Sequence, residues 1–353
     1  MKKLTELRNK IDKVDAEIIE LLNQRAQITL GIGKIKTKAK KPIFAPKREY
    51  EIYEKLSKEN KGPLTDDTLK AVYREIMSGS LALEKPLKIA YLGPESTFTH
   101  IAALKKFGAS VEYVKASTIP EVFTEVEKGR ADYGVVPIEN STEGAVTHTL
   151  DMFMDSDLKI CSEVVLPIVH NLMGKGKIDK VKKVYSNPMV IAQCRNWLEK
   201  NLPNVEIVPV ASTTRAAQLA LSSKEAAAIA SELASETYSL DILAKSIEDL
   251  ARNYTRFLVV AEKEAEPTGH DKTSVLFSMK DRPGALHDVL VPFKKRCVSL
   301  TKIESRPSKK KVWKYYFFVD MQGHIKDKKI KAALDELGKN CNFVKFLGSY
   351  PEA

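Results

Sequence analysis

Among the first forty residues, Arg25 stands where a leucine belongs. Apolar side chains recur at Leu4, Leu7, Ile11, Val14, Ile18, Leu21, Ile28, Ile32 and Ile35, in steps of three and four. That is a heptad seam, and Arg25 fills its one gap. An arginine there is costly unless an anion or a carboxylate meets it, so either a ligand anion or a buried ion pair is implied. Lys36 lies eleven residues further on. At about 100° per residue the two differ by only about 20°, so both point the same way. Arg8 is roughly 100° off that face and suits the site of a neighbouring chain better than its own. A second concentration of polar groups is "ADYGVVPIENSTEGAV" (131–146), where a buried-strand pattern runs directly into Glu139, Asn140, Ser141 and Thr142. Two polar residues suffice to turn a chain, so this many suggests a site at a strand end. Elsewhere Ser96, Thr97 and Thr99 cluster at a helix start, where free N–H groups also point outward and can receive an anion. Thr255 and Arg256 immediately precede another buried-strand pattern. On their own these two residues read as a strand-entry turn.

The elements that must position these groups fall into three textures. Residues 1–85 read as helices only. The seam predicts a helix over about Lys3 to Thr37, some 50 Å long. A second helix starts after Pro42 and Pro46 and presents Arg48 and Glu49. A third carries Leu69, Val72, Tyr73, Ile76 and Met77 on one stripe, continued by Ser80 and Glu84. A helix that long has too little to pack against alone, so a homodimer is expected. Residues 86–265 alternate short apolar runs with helical patterns, an α/β texture in which ligands gather at the carboxyl ends of strands. There Ser141 and Thr142 are expected to start the next helix. Residues 270–353 read strand, helix, strand, strand, helix, strand, with a Lys run at Ser308 to Lys311 as a hairpin tip. The joins, "LEKPLK" and "EKEAEPTGHDK", are polar and contain Pro.

Composition narrows the class. The chain has 353 residues, 43% hydrophobic and 29% charged, with net charge +11. The excess sits at the ends: residues 1–85 carry +6, 86–269 carry −4 and 270–353 carry +9. No aromatic-laced basic stripe or nucleic-acid reading motif accompanies it. No Gly-rich nucleotide loop is present, and the six histidines show no metal-ligand spacing, so neither cofactor nor metal is expected. The four cysteines are far apart in sequence and are expected to be reduced and buried. There is no apolar run of spanning length and no leader-like N-terminus, so a cytoplasmic protein is expected.

Three resemblances then join the pieces. "LRNKIDKVDAEIIELLNQR", "GKIK", "PKRE" and "REIMSGSLALE" resemble the all-helical chorismate mutases, over nearly all of residues 1–85. The resemblance implies rearrangement of chorismate to prephenate. Arg8 (from a partner chain), Arg25 and Arg48 would frame the substrate carboxylates, with Lys36 as donor to the ether oxygen. Glu49 would take the substrate hydroxyl and Ser80 would support the substrate. The chain departs from the family pattern at Ala45, where an Asp is common, and at Glu84, where a Gln often donates to the ether oxygen. A carboxylate donates only when protonated, so Glu84 either carries a proton or has another role. "YLGPESTFTHIAA", "ADYGVVPIENSTEGAV" and "NYTRF" resemble prephenate dehydratase, over about 87–262, with Ser96 where a Gly is common. This implies two α/β lobes like those of periplasmic binding proteins and a prephenate cleft. Thr255 would be the catalytic donor to the leaving oxygen. Ser96, Thr97, Glu139, Asn140, Ser141 and Arg256 would line the substrate site, where Arg256 could hold a carboxylate or brace the fold. "DRPGAL" and "KIESRP" resemble an ACT domain, a ferredoxin-like α+β module. In that family these motifs bind phenylalanine, which here implies Gly284, Ala285, Leu286, Glu304, Ser305 and Arg306. The alternative is a non-catalytic small-molecule sensor with a solute-binding-protein-like domain.

Overall fold

The computed structural model describes residues 2–39, 41–280, 282–307 and 315–353. The Ser308–Lys311 run and Asp281 of the "DRPGAL" motif therefore lie outside the described residues. The chain forms two compact units, one of Met1–Lys88 with Lys106–Glu112 and one of Ile89–Lys105 with Tyr113–Ala353.

The first unit is helical: α1 (Lys2–Lys38), α2 (Pro46–Glu59) and α3 (Asp66–Glu84). Pro46 opens α2, and the Thr65 hydroxyl caps α3 by accepting from the Thr68 N–H. The seam of α1 exists as read, but within one chain it is uncovered. Leu7, Ile11, Ile28 and Ile35 are each more than half exposed. Packing is confined to the C-terminal part of α1. A Cβ on Gly33 would come within 3.0 Å of the Glu84 side chain, so the glycine lets α1 and α3 approach closely at that point.

The second unit contains three sheets. The first has the order β2-β1-β3-β11-β5, with β4 against β3: β1 (Lys88–Leu92), β2 (Glu112–Ala116), β3 (Tyr133–Asn140), β4 (Gly144–Ala145), β5 (Lys159–Pro167) and, from much later in the chain, β11 (Tyr254–Ala261). The helices α4 (Phe98–Phe107), α5 (Ile119–Glu127) and α6 (Thr147–Asp155) accompany it. All eight residues of "YGVVPIEN" are buried or half-buried because both sheet faces are covered. The second sheet has the order β10-β6-β9-β7-β8: β6 (Asn171–Gly174), β7 (Lys183–Ser186), β8 (Glu206–Pro209), β9 (Ala226–Ala230) and β10 (Asp241–Ala244). It carries α7 (Pro188–Gln193), α8 (Arg195–Asn201), α9 (Thr213–Ala220) and α10 (Glu232–Tyr238). Two connections join these lobes, at 168–170 and 245–253. They are tied together by the bonds Ile247 N–H to His170 O and Ile168 N–H to Asn253 O, both 2.8–2.9 Å.

The third sheet has the order β13-β14-β12-β15: β12 (Asp271–Met279), β13 (Leu300–Pro307), β14 (Tyr315–Gln322) and β15 (Cys341–Pro351). The helices α11 (Ala285–Lys295) and α12 (Lys328–Asn340) cover one face around Val275, Phe277, Phe293, Val319 and Ile330. The other face presents Leu276, Phe318, Leu347 and Tyr350 to Ile160 and Leu258 of the first sheet. Among the cysteines, Cys161 and Cys194 are buried, whereas Cys297 is exposed, contrary to the expectation. Among the described residues no helix is long and apolar enough to cross a membrane.

Candidate active sites

In the helical unit a cavity of about 470 Å³ lies among α1, α2 and α3. Arg25, Lys36, Arg48, Glu49, Ser80 and Glu84 all line it. Arg25 donates to the Ser80 hydroxyl, which donates in turn to Ile76 O at 2.8 Å. Lys36 donates to Glu84 at 2.9 Å and to the Ile43 carbonyl at 2.7 Å. Glu84 is therefore the ion-pair partner of Lys36, a role open to a carboxylate that a glutamine could not fill. Arg8, by contrast, is exposed on α1 and does not line this cavity.

Two further cations line the pocket that the sequence reading passed over, Arg74 and Lys106. Arg74 stands three residues before Met77 and seven before Leu81, both lining residues, so helical spacing could have found it. Lys106 pairs with Glu49 at 2.5 Å and sits over the Phe44 ring. It lies beyond residue 85, and no local pattern announces it. Five cationic side chains thus face two carboxylates, an imbalance suited to a dianion.

The second site is built where β3 ends against the start of β11. Thr255 pairs with Asn140 and Arg256 with Glu139. Successive residues of a strand point to opposite faces, so these two pairs part company. On one face Asn140 Nδ2 donates to Thr255 Oγ1 at 2.8 Å and to Asn253 Oδ1 at 2.7 Å. Asn140 Oδ1 accepts from the Thr142 and Glu143 N–H groups, both at 3.0 Å, and from the Thr142 hydroxyl. Ser141 is tied to the other strand: its hydroxyl accepts from the Tyr254 N–H and donates to Arg252 O. Ser141 and Thr142 therefore do not start a helix. The Asn140 side chain closes a turn there, β4 folds back on β3, and α6 begins only at Thr147.

On the other face Arg256 meets Glu139 at 2.9 Å, Glu163 at 2.6 Å, Asp320 at 2.6 Å and the Tyr350 hydroxyl at 2.8 Å. Lys302 binds Glu139, and Lys272 binds Glu163 at 2.9 Å. Burial works against ionisation of Glu139, but Lys302 and Arg256 prevail and hold its carboxyl below the usual range. Of the two roles open to Arg256, bracing is the one that its contacts fill. Glu139 goes with it, away from Thr255. Ser96 and Thr97 share no hydrogen bond with the Thr255 group. Thr97 donates to Leu92 O, and Ser96, with φ 64°, donates to Thr237.

Comparison with known proteins identifies three domains. The chain matches the family models "Chorismate mutase type II" over residues 7–85, "Prephenate dehydratase" over 89–265 and "ACT domain" over 273–339. It is 54% identical to a bifunctional chorismate mutase/prephenate dehydratase of Aquifex aeolicus, over 100% of this chain and 99% of that protein. The chain belongs to this bifunctional family. A second bifunctional mutase/dehydratase, from Pseudomonas aeruginosa, is 46% identical over 99% and 98% of the two chains. A prephenate dehydratase of Arthrobacter aurescens, solved in complex with L-Phe, superposes with TM-score 0.71 at 35% identity, covering 76% of this chain and 90% of that one.

In this mutase/dehydratase the ACT module starts α11 at Gly284, whose φ of 76° favours glycine. Ala285 is buried and Leu286 is exposed. Along β13 burial alternates: Glu304 and Arg306 are half-buried, while Ser305 is exposed. Arg306 turns to Asp151 of α6 at 3.2 Å.

Proposed function

We propose that the chain converts chorismate to phenylpyruvate in two steps at two sites, under feedback from phenylalanine. One observation carries the reading: the matched mutase helices enclose a cation-rich pocket, and the matched dehydratase strands bring Asn140 and Thr255 into contact. In the mutase pocket Arg25 and Arg48 hold the substrate carboxylates, and Lys36, oriented by Glu84, donates to the ether oxygen as negative charge grows there. Glu49 takes the substrate hydroxyl and Ser80 backs Arg25. The exposed seam of α1 suits a second copy of the chain, which would bring its own Arg8 to the pocket. The homodimer and a cytoplasmic location belong to this reading.

In the dehydratase, the bond from the ring carbon to its carboxylate breaks and releases carbon dioxide. Its electron pair enters the ring, and the carbon–oxygen bond to the ring hydroxyl breaks. Thr255 donates a hydrogen bond to that departing oxygen, which leaves as hydroxide and is neutralised by a proton from solvent. Ser96 and Thr97, at the start of α4, with Asn140 and Ser141, form the substrate side, and no cofactor takes part. Phenylalanine binds the ACT module through Gly284, Ala285, Leu286, Glu304, Ser305 and Arg306. Purified protein given chorismate should form prephenate and then phenylpyruvate, and added phenylalanine should slow the second step. Binding of prephenate without turnover would return the chain to the sensor alternative.

A further inference from the structure

The hydrogen bonds behind Thr255 have a direction that can be worked out from one end. The Thr142 and Glu143 backbone N–H groups can only donate, so the Asn140 atom that they meet must be its carbonyl oxygen. Asn140 Nδ2 therefore faces Thr255 and Asn253, and it can only donate to both. The Asn253 atom that receives it must be Oδ1, which leaves Asn253 Nδ2 to donate to Gln193 Oε1 at 3.3 Å. Gln193 is fixed independently at its other end, where Nε2 donates to the Glu143 carboxylate at 3.1 Å. Gln193 Oε1 also lies 2.8 Å from His170 Nε2. An amide oxygen only accepts, so His170 must carry its proton on Nε2. Its Nδ1 is buried without a hydrogen-bond partner, which costs less for a bare nitrogen than for an orphaned N–H. Every link agrees with its neighbours.

At the far end of this chain Thr255 Oγ1 receives a hydrogen bond from Asn140. No acceptor among the described residues takes the Thr255 proton. We propose that Asn140, Asn253, Gln193 and His170 are positioning residues: a relay of fixed polarity that makes the Thr255 oxygen an acceptor toward the protein and so presents its proton to the departing hydroxide. This rests on the reading of Thr255 as the dehydratase donor. His170 stands on the first connection between the lobes and Gln193 ends α7, so the relay runs from one lobe's strands to the other lobe. Burial lowers the pKa of His170, which favours the neutral ring that the relay needs.

The polarity can be reversed without changing shape. Asn140→Asp keeps the oxygen that meets Thr142 and Glu143 but replaces the donor with an acceptor, so the Thr255 proton turns inward. Asn140→Ala removes every bond of the side chain but leaves the Thr255 hydroxyl free to rotate. The expected dehydratase kcat losses are on the order of 10²–10³-fold for Asn140→Asp, matching Thr255→Val, and about tenfold for Asn140→Ala. In a Thr255→Val background, Asn140→Asp should add no further loss. A residue that merely supports the fold would give the opposite order, with Ala worse than its isostere. Simple repulsion of substrate charge by the new carboxylate would make the two losses multiply. Either result overturns the relay. Nitrogen-15 NMR of the unaltered protein tests it without any variant: His170 should be neutral with its proton on Nε2, and a proton on Nδ1 would overturn the relay. Full dehydratase activity in Thr255→Val would remove the reading of Thr255 itself, whatever the tautomer of His170.

Discussion

The two sites handle closely related dicarboxylates with different chemical means. The helical pocket is lined by Arg25, Lys36, Arg48, Arg74 and Lys106. Around Thr255 the groups are neutral amides and hydroxyls: Asn140, Asn253, Ser141 and Gln193. The difference follows from what each step needs. A pericyclic rearrangement transfers no proton, so fixed charge about a folded substrate is enough. An elimination needs one hydrogen bond in one direction at one oxygen, and an amide network supplies direction where a mobile ammonium would not. The chain neighbour of Thr255, Arg256, and the paired Glu139 are charged. Strand alternation sends both to the other face, where they tie β11 to Asp320 and Tyr350 of the ACT sheet.

The largest expected effect tests that separation. Arg256→Ala would strand the Asp320 carboxylate, which among the described residues then keeps only the Ser274 hydroxyl. Breaking one side of a buried pair costs about 3–5 kcal/mol. Denaturant unfolding followed through the second unit should show a loss of that size. Adding Asp320→Asn should recover part of it, because the uncompensated charge is gone. A loss below about 1 kcal/mol would mean that Arg256 is not a brace and would reopen its role toward substrate.

Next in size is Arg25→Ala. It removes a cation that lines the mutase pocket and leaves the Ser80 oxygen without its Arg25 donor, so mutase kcat/KM should fall on the order of 10²–10³-fold. Prephenate turnover should be unchanged. Loss of both activities in a folded protein would contradict two separate sites.

How far these sites could be read in advance depended on the kind of order that each uses. The α1 seam spans ten positions of strict spacing, so its one arginine was conspicuous, and a rotation of about 100° per residue sufficed to put Lys36 beside it. The ends of β3 and β11 are visible as motifs, but a motif does not say which of its residues share a face. Glu139 and Asn140 are adjacent in a strand and could not both face Thr255. Asn253 opens the "NYTRF" motif, but the motif assigns it no role, and nothing local marks Gln193 or His170. Each is a single polar residue whose partners are 23 to 113 positions away. The helix expected at Ser141 failed because a side chain, Asn140, caps that turn from outside the usual hydroxyl pattern.

Lys106 sharpens the comparison at smaller scale. It stands outside the residues that match the mutase family, yet it neutralises Glu49 within the pocket. Lys106→Ala should lower mutase kcat/KM about tenfold, the worth of one charge-assisted hydrogen bond of about 1.5 kcal/mol. Lys106→Arg should restore most of it. An unchanged rate would show that Glu49 needs no counter-charge and that the pocket's cations are in excess.

The smallest effect is a pH dependence on the ionic face of β11. Lys302 and Arg256 hold the Glu139 carboxyl below the ordinary carboxylate range of about 4.3, despite its burial. Its pKa in the folded chain is thus lower than in the unfolded chain. The stability it contributes is fully present above the unfolded value, and it is lost as pH falls through the folded one. Glu139→Gln keeps the shape but has no such term. The gap in urea midpoint between the unaltered protein and Glu139→Gln should be constant from neutral pH down to about pH 5. Below that it should shrink steadily as the carboxylate is protonated in both states. Glu139 is about one-third exposed and retains solvent screening, so the gap itself should be modest. A gap that widened on acidification would mean that the paired form is the protonated one, and that the charges beside Thr255 are not neutralised on their own face.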